Sequence, residues 1–512
     1  MSLISVSDIL GTNHAPDEHD CGVIQMSLSE QERLLEQVRA QKAELEQQLL
    51  VVTQLETRLV KSIADHRTLL RASPIRSLPV ELLGEVFLAH CAESGLDDSS
   101  GATFRERRLR LLWVCSRWRA VALSMPRIWV ALSVDCAFYR TEGARSRIPV
   151  LERWISSSGR LPLSIAFVFS DFPNAHYQIN AFNMVLAQLP RCKSFRGRIN
   201  FRTDYVRMAV DQDVPDAPIL ESLTLTSYPI DEPTLGWRRK LYAKIPRLRH
   251  FDIDSAHGIF SLSVKDLITV KIERFALREL FYIVENATVL EELKVGYVDL
   301  PDHVPQHIQH DVRRLDRLFR VHFQQTASSS VNKFFDHVML PSIKELTMRT
   351  NSAWPDGDAF TRFLKRSGCS LTHLIIDAPV PDKHGFLLAV LPLVPSLQVL
   401  HVEPRAGFDL PSYPLPFPVL EYLTGKPKRQ NLTALTDLKF PLLLSQMPSL
   451  TMLLEYRCTN WEMLGVARLD HISVTIITPR LSPAQTRDRK QQMSEVFKPY
   501  KKAGFTWITE TQ

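Results

Sequence analysis

The sequence predicts an α/β, multi-domain chain: a long N-terminal helix, a three-helix module, then an irregular α/β solenoid. Three observations carry this. An apolar seam of seven-residue period runs through residues 27–72. Two apolar stripes at helical spacing occupy residues 73–129. A short phrase, Pro-x-Leu-x-x-Leu-x-Leu, returns through residues 130–512 at spacings of about 26–28 residues.

Bulk properties narrow the function classes. The chain has 512 residues, 45% hydrophobic and 23% charged, the composition of a globular protein with a sizeable core. Its formal net charge is +6. No basic stripe with interleaved aromatics occurs, so no nucleic-acid partner is expected. The longest apolar runs, such as Phe386–Pro395, are too short to cross a bilayer. Met1–Ser7 lacks the basic start of a secretory signal. The seven cysteines, Cys21, Cys91, Cys115, Cys136, Cys192, Cys369 and Cys458, are odd in number and form no C-x-x-C pair. Reduced thiols and an intracellular setting, cytoplasmic or nuclear, are expected.

Residues 1–26 are polar and aperiodic, so they are expected to be disordered. Residues 27–72 read as a long helix, with Ser29 as a candidate cap and Glu32 three residues on. Val38, Leu45, Val52 and Leu59 form one line of the seam; Leu35, Leu49 and Ile63 form the other, broken by Lys42 and Glu56. The pattern suits a self-associating coiled coil or a single amphipathic helix packed on the three-helix module.

In residues 73–129, Leu78, Leu82, Leu83, Val86 and Phe87 give the first stripe, with Pro79 suited to the first helical turn. Leu111, Leu112, Cys115, Trp118, Val121 and Ala122 give the second, and a Gly/Ser/Asp loop at Asp97–Gly101 lies between. Helices this short cannot bury both stripes against each other, so a partner is expected. Leu78-Pro79-x-Glu81-Leu82-Leu83-x-x-Val86-Phe87, then Leu111-Leu112-x-Val114-Cys115-x-x-Trp118-Arg119, then Pro126 and Trp129, resembles an F-box. The preceding Ser73-Pro74-Ile75-Arg76 is similar to the version common in mushroom-forming fungi. The link Leu88–Arg108 is longer and more polar than usual for it. The resemblance implies a three-helix module docking on the Skp-type adaptor of a cullin–RING ubiquitin ligase. It implies adaptor contacts at Leu78, Pro79, Leu82, Leu83, Val86, Phe87, Leu112, Val114, Cys115 and Trp118.

Beyond Trp129, Val130–Val134 and Leu163–Val168 read as strands and Pro149–Ser157 as a helix. The phrase then recurs at Leu220/Leu223/Leu225, Leu248/Phe251/Ile253, Leu290/Leu293/Val295, Ile343/Leu346/Met348, Leu371/Leu374/Ile376 and Leu397/Leu400/Val402, with a degenerate copy at Pro448-x-Leu450-x-x-Leu453. Intervals of this length suit a leucine-rich-repeat-like solenoid, and unrelated crossovers in a doubly wound sheet are the alternative. The wider gaps between 248 and 343 imply insertions or missed repeats. The charged segment Ser482–Lys502 suits a helical polar cap, and Gly425–Arg429 a solvated basic turn.

Strand alternation turns Thr224, Thr226, Asp252, Asp254, Lys294, Thr347, Arg349, Ile375, Asp377, His401 and Glu403 away from the core. Of these, Asp252, Asp254, Lys294, Arg349, Asp377, His401 and Glu403 are the candidate substrate-binding residues. The acidic excess favours a basic or mixed-charge partner over a phosphorylated one.

His303, His307 and His310 are close in sequence, but Pro305 interrupts them and a polar insert is expected rather than a metal site. No phosphate loop, dinucleotide fingerprint or nucleophile elbow occurs. The expectation is a non-enzymatic F-box substrate receptor of an SCF-type ligase with no catalytic residues, cofactor or metal. Two alternatives stay open: an adaptor-bound scaffold without ubiquitin transfer, and an enzyme with an unrecognised site in the C-terminal α/β region.

Overall fold

The computed structural model describes residues 17–70, 78–92, 101–135, 148–169, 176–200, 213–228, 232–298, 311–350, 354–377, 385–403, 414–424, 432–478 and 505–511, with shorter stretches around these. The chain divides into two compact units, Met1–Val86 and Phe87–Gln512.

The first unit is dominated by α1 (Glu18–Leu70), a helix of 53 residues. It starts well before Ser27. Asp17 caps it: its Oδ1 accepts the Asp20 N–H at 2.7 Å, and that bond holds the Asp17 carboxyl below its usual range. Ser29 is not the cap. It lies inside the helix and donates to the Met26 carbonyl at 2.9 Å. Residues 18–26, expected to be disordered, are therefore helical. Side chains at 28–68 are all exposed, so no described residue covers the seam. A second helix, α2 (Val80–Ala92), begins where the Pro79 carbonyl accepts the Leu83 N–H.

In the second unit, α3 (Gly101–Val114) and α4 (Ser116–Ser124) lead into a 3₁₀ turn, Pro126–Trp129. That turn joins the sheet directly. Trp129 and Trp154 meet edge-on at 5.3 Å, and Trp154 Nε1 donates to the Trp129 carbonyl. Arg108 donates to the Ala131 carbonyl and lies over the Trp154 ring.

Among the described residues the sheet has fourteen strands: β1 (Ala131–Asp135), β2 (Leu163–Phe169), β3 (Cys192–Asn200), β4 (Ser222–Tyr228), β5 (His250–Ser255), β6 (Thr269–Phe275), β7 (Glu292–Val298), β9 (Arg320–Thr326), β11 (Glu345–Thr350), β12 (His373–Asp377), β13 (Val399–Glu403), β14 (Asp437–Leu443), β15 (His471–Thr478) and β16 (Phe505–Thr511). Two short strands, β8 (Arg313–Arg314) and β10 (Val338–Met339), pair separately. The large sheet is parallel throughout and its strands stand in chain order. No strand crosses another, which excludes the doubly wound order.

Register builds the core in columns. Leu223, Phe251, Val270, Leu293, Val321, Leu346, Leu374, Leu400, Leu438 and Ile472 follow one another across the strands, all buried. Each such burial contributes about 1.5–3 kcal/mol. Helical segments cover this face through aromatic contacts, as where Phe334 meets Phe323 at 5.2 Å and Tyr242 meets Phe251 at 5.5 Å.

The strand starts share one backbone device. The Glu221 carbonyl accepts both the Arg249 and His250 N–H groups at 2.9 Å. The Arg249, Ile268, Glu291, Phe319, Lys344, Thr372, Gln398 and Thr436 carbonyls each take two N–H groups from the next strand in the same way. This ladder needs no particular side chain.

One open expectation is resolved and two are corrected. The gaps between 248 and 343 hold strands β6 and β9, carried by Leu267-x-x-Val270-x-Ile272 and Leu318-x-x-Val321-x-Phe323. Pro448-x-Leu450-x-x-Leu453 is not a strand phrase but lies on a helix, Met447–Leu454, with Pro448 in its first turn. Beyond the charged C-terminal segment the chain returns to the sheet as β16. Most of Ser482–Lys502, and the turn at 425–429, lie outside the described residues.

Candidate functional site

The motif helices sort their side chains sharply. In the first unit, Leu82 and Val86 are 53% and 44% exposed, Pro79 is exposed and Leu78 half-buried, while Leu83 is fully buried. In the second unit Phe87 is fully buried, its ring 4.8 Å from that of Trp118. Leu83 and Phe87, expected among the adaptor contacts, are each fully buried and so do not face a partner. Leu112 and Trp118 are half-buried, Val114 is 57% exposed and Trp113 is 71% exposed. Trp113 escapes the sequence pattern because it falls between the apolar stripe positions.

Cys115, expected at an apolar position, is instead the exposed N-cap of α4. Its backbone is extended, and its sulfur accepts the Trp118 N–H at 3.4 Å. Beneath it, Val121, Ala122, Ile128 and Trp129 are buried, and Trp129 Nε1 donates to the Ala122 carbonyl at 2.7 Å. The bond from Arg108 to the Ala131 carbonyl ties α3 to the first strand.

The open sheet face carries the second cluster. Arg196, Thr224, Asp252, Lys271, Lys294, His322, Thr347, Ile375, His401, Lys439 and Ser473 succeed one another by register. Arg349, Asp377 and Glu403 form a shorter row beside them. Alternation thus brings Asp252, Lys294, Arg349, Asp377, His401 and Glu403 to one face, as expected.

Two members depart. Thr347 is buried, and Asp254 is only 5% exposed. Arg238, itself fully buried, donates to the Ser255 carbonyl and to Asp254 Oδ1, while Arg274 reaches the other oxygen at 4.0 Å. Asp254 neutralises a buried guanidinium and is not a surface for substrate.

The remaining charges pair across strands. Glu403 accepts from Arg349 and from Lys439, both at 2.9 Å. Burial alone would raise the Glu403 carboxyl, but these two cations bring it below its ordinary value. Arg320 holds Glu345 with bonds of 2.6 and 3.0 Å and keeps that carboxyl low. Asp252 lies 3.7 Å from Lys271, and His401 3.0 Å from Asp437. Burial lowers the His322 imidazole. The face therefore presents interleaved positive and negative groups, several of them paired across strands, rather than an acidic patch.

At the strand starts a cleft of about 510 Å³ is lined by Glu221, Arg247, Arg249, Asp266, Glu291 and Arg317, among others. Its charges balance, so it selects neither sign.

Among the described residues no group of three or more His, Cys, Asp and Glu is placed to hold a metal ion, and no helix is long and apolar enough to cross a membrane. His303, His307 and His310 lie outside the described residues. Compared with known proteins, the chain matches no family model and no curated protein.

Proposed function

We propose that the chain is the substrate receptor of an SCF-type ubiquitin ligase, holding a Skp-type adaptor through its F-box-like segment and a protein target through the open sheet face. The carrying observation is the exposure of large apolar side chains on the motif helices: Leu82 and Val86 on α2, Trp113 and Val114 at the end of α3. Large apolar side chains left exposed on a helix suit docking to a partner, and each of these helices carries such a pair. The sheet face supports the second half of the reading, since solenoids bind partners across such extended surfaces. In this reading the chain does no chemistry. It raises the local concentration of target lysines near a ubiquitin-charged enzyme, in a reduced intracellular setting.

The test is affinity purification of the full chain beside Leu82→Ala/Val86→Ala. The exposed double variant is expected to lose adaptor and cullin together while keeping its melting temperature. Adaptor retained at wild-type level refutes the docking assignment. Adaptor without cullin in the wild type points to a scaffold instead.

A further inference from the structure

The helix α1 carries an apolar seam that no described residue covers, and its polar breaks say what kind of partner fits. Extending the heptad over the whole observed helix places Cys21, Leu28, Leu35, Lys42, Leu49, Glu56 and Ile63 in one line. Ile24, Gln31, Val38, Leu45, Val52, Leu59 and His66 form the other. Leu35, Val38, Leu45, Leu49, Val52, Leu59 and Ile63 are all about half exposed or more. A lone helix in water gains little from such residues, since most helical stability comes from packing an apolar face.

The occupant is decided by Lys42 and Glu56, which share a seam line two heptads apart. In a parallel, in-register pair Lys42 faces Lys42 and Glu56 faces Glu56, and like charges in a seam are doubly unfavourable. Reversing one helix, so that Leu49 meets Val52 of the second copy, changes this. Lys42 then falls within three residues, about 5 Å of rise, of Glu56 on the second copy, and the contact occurs twice by symmetry. In the single chain Lys42 Nζ lies 3.8 Å from the exposed Glu46, a weak pair that exchanges readily.

We infer that two copies of this chain associate through α1 as an antiparallel coiled coil, with Lys42 and Glu56 setting its direction. This stands independently of the ligase reading.

The experiment uses the full chain, with Cys115→Ser removing the other exposed thiol among the described residues and Cys136→Ser removing the cysteine outside them. Sedimentation should show a concentration-dependent dimer. Lys42→Glu alone and Glu56→Lys alone should each weaken it by about tenfold or more, and the double exchange should restore it. A parallel pair would barely respond to either single change, because one repulsive contact replaces another. Mild oxidation gives a second readout. A parallel pair aligns Cys21 with Cys21 and yields a disulfide-linked dimer, whereas the antiparallel pair separates these thiols and yields none. A monomer at tens of micromolar, single variants that dimerise as well as wild type, or a Cys21-linked dimer each overturns the inference.

Discussion

At the scale of the residue, burial decides which charged groups hold the fold and which are open to partners. Removing one member of a buried ion pair strands the other charge. Asp254→Ala is therefore expected to cost about 3–5 kcal/mol in denaturant unfolding, because the buried Arg238 loses its carboxylate. Asp252→Ala, on the open face, is expected to stay within about 0.5 kcal/mol. Equal effects would contradict the assignment. Glu345 gives a pH-dependent case. Its hydrogen bond from Arg320 lowers its folded pKa below 4.5, so the folded state binds its proton less readily than the unfolded chain does. The stabilisation is fully present above that value and is lost as pH falls through the folded pKa. Glu345→Gln should thus lower the melting temperature at pH 7, by an amount worth about 1 kcal/mol or less for a part-exposed pair. The two proteins should converge as pH falls below the folded pKa of Glu345. Cys115 is a third case: Cys115→Ser should keep α4 capped, and Cys115→Ala should cost about 0.5–1 kcal/mol in the same unfolding assay.

At the scale of the element, the sequence was most legible where proline and leucine marked the strands. The phrases at Leu223, Leu346, Leu374 and Leu400 became strands in mutual register. Strands β6 and β9 escaped because Val270, Ile272, Val321 and Phe323 replace the leucines and no proline precedes them. A pattern admitting any buried aliphatic or aromatic residue, Leu267-x-x-Val270-x-Ile272, finds them. The opposite error arose at Pro448, where Leu450, Leu453 and Leu454 stand at helical spacing and the proline belongs to a first turn. Asp254 was misplaced because alternation describes a strand's middle. At the end of β5, Ile253, Asp254, Ser255 and Ala256 are all buried, and Arg238 reaches in from a helix. On the motif helices, the spacing located the apolar residues but not which of two adjacent leucines, Leu82 or Leu83, faces outward. If β6 is a full member of the core, Ile272→Ala should cost about 2–5 kcal/mol, the same as is expected of Ile376→Ala in β12. A loss under 1 kcal/mol at Ile272 alone would show a loosely attached strand.

At the scale of the whole molecule, strands placed in chain order give each one only sequence neighbours in space. Stability then approximates a sum of local terms, and the terminal strand lacks one neighbour. Amide hydrogen exchange should be faster in β16 than in β11 through β13, with protection rising inward from β16; uniform protection would indicate a globally cooperative sheet. The carbonyl ladder at the strand starts has a further consequence. Because each carbonyl grips two N–H groups of the next strand without regard to side chains, the backbone spacing is set apart from the residues displayed on it. Outward positions such as 224, 294 and 401 can change identity while the scaffold stays put. Copies of this architecture can then diverge in what the open face displays at little cost in folding, one surface residue at a time.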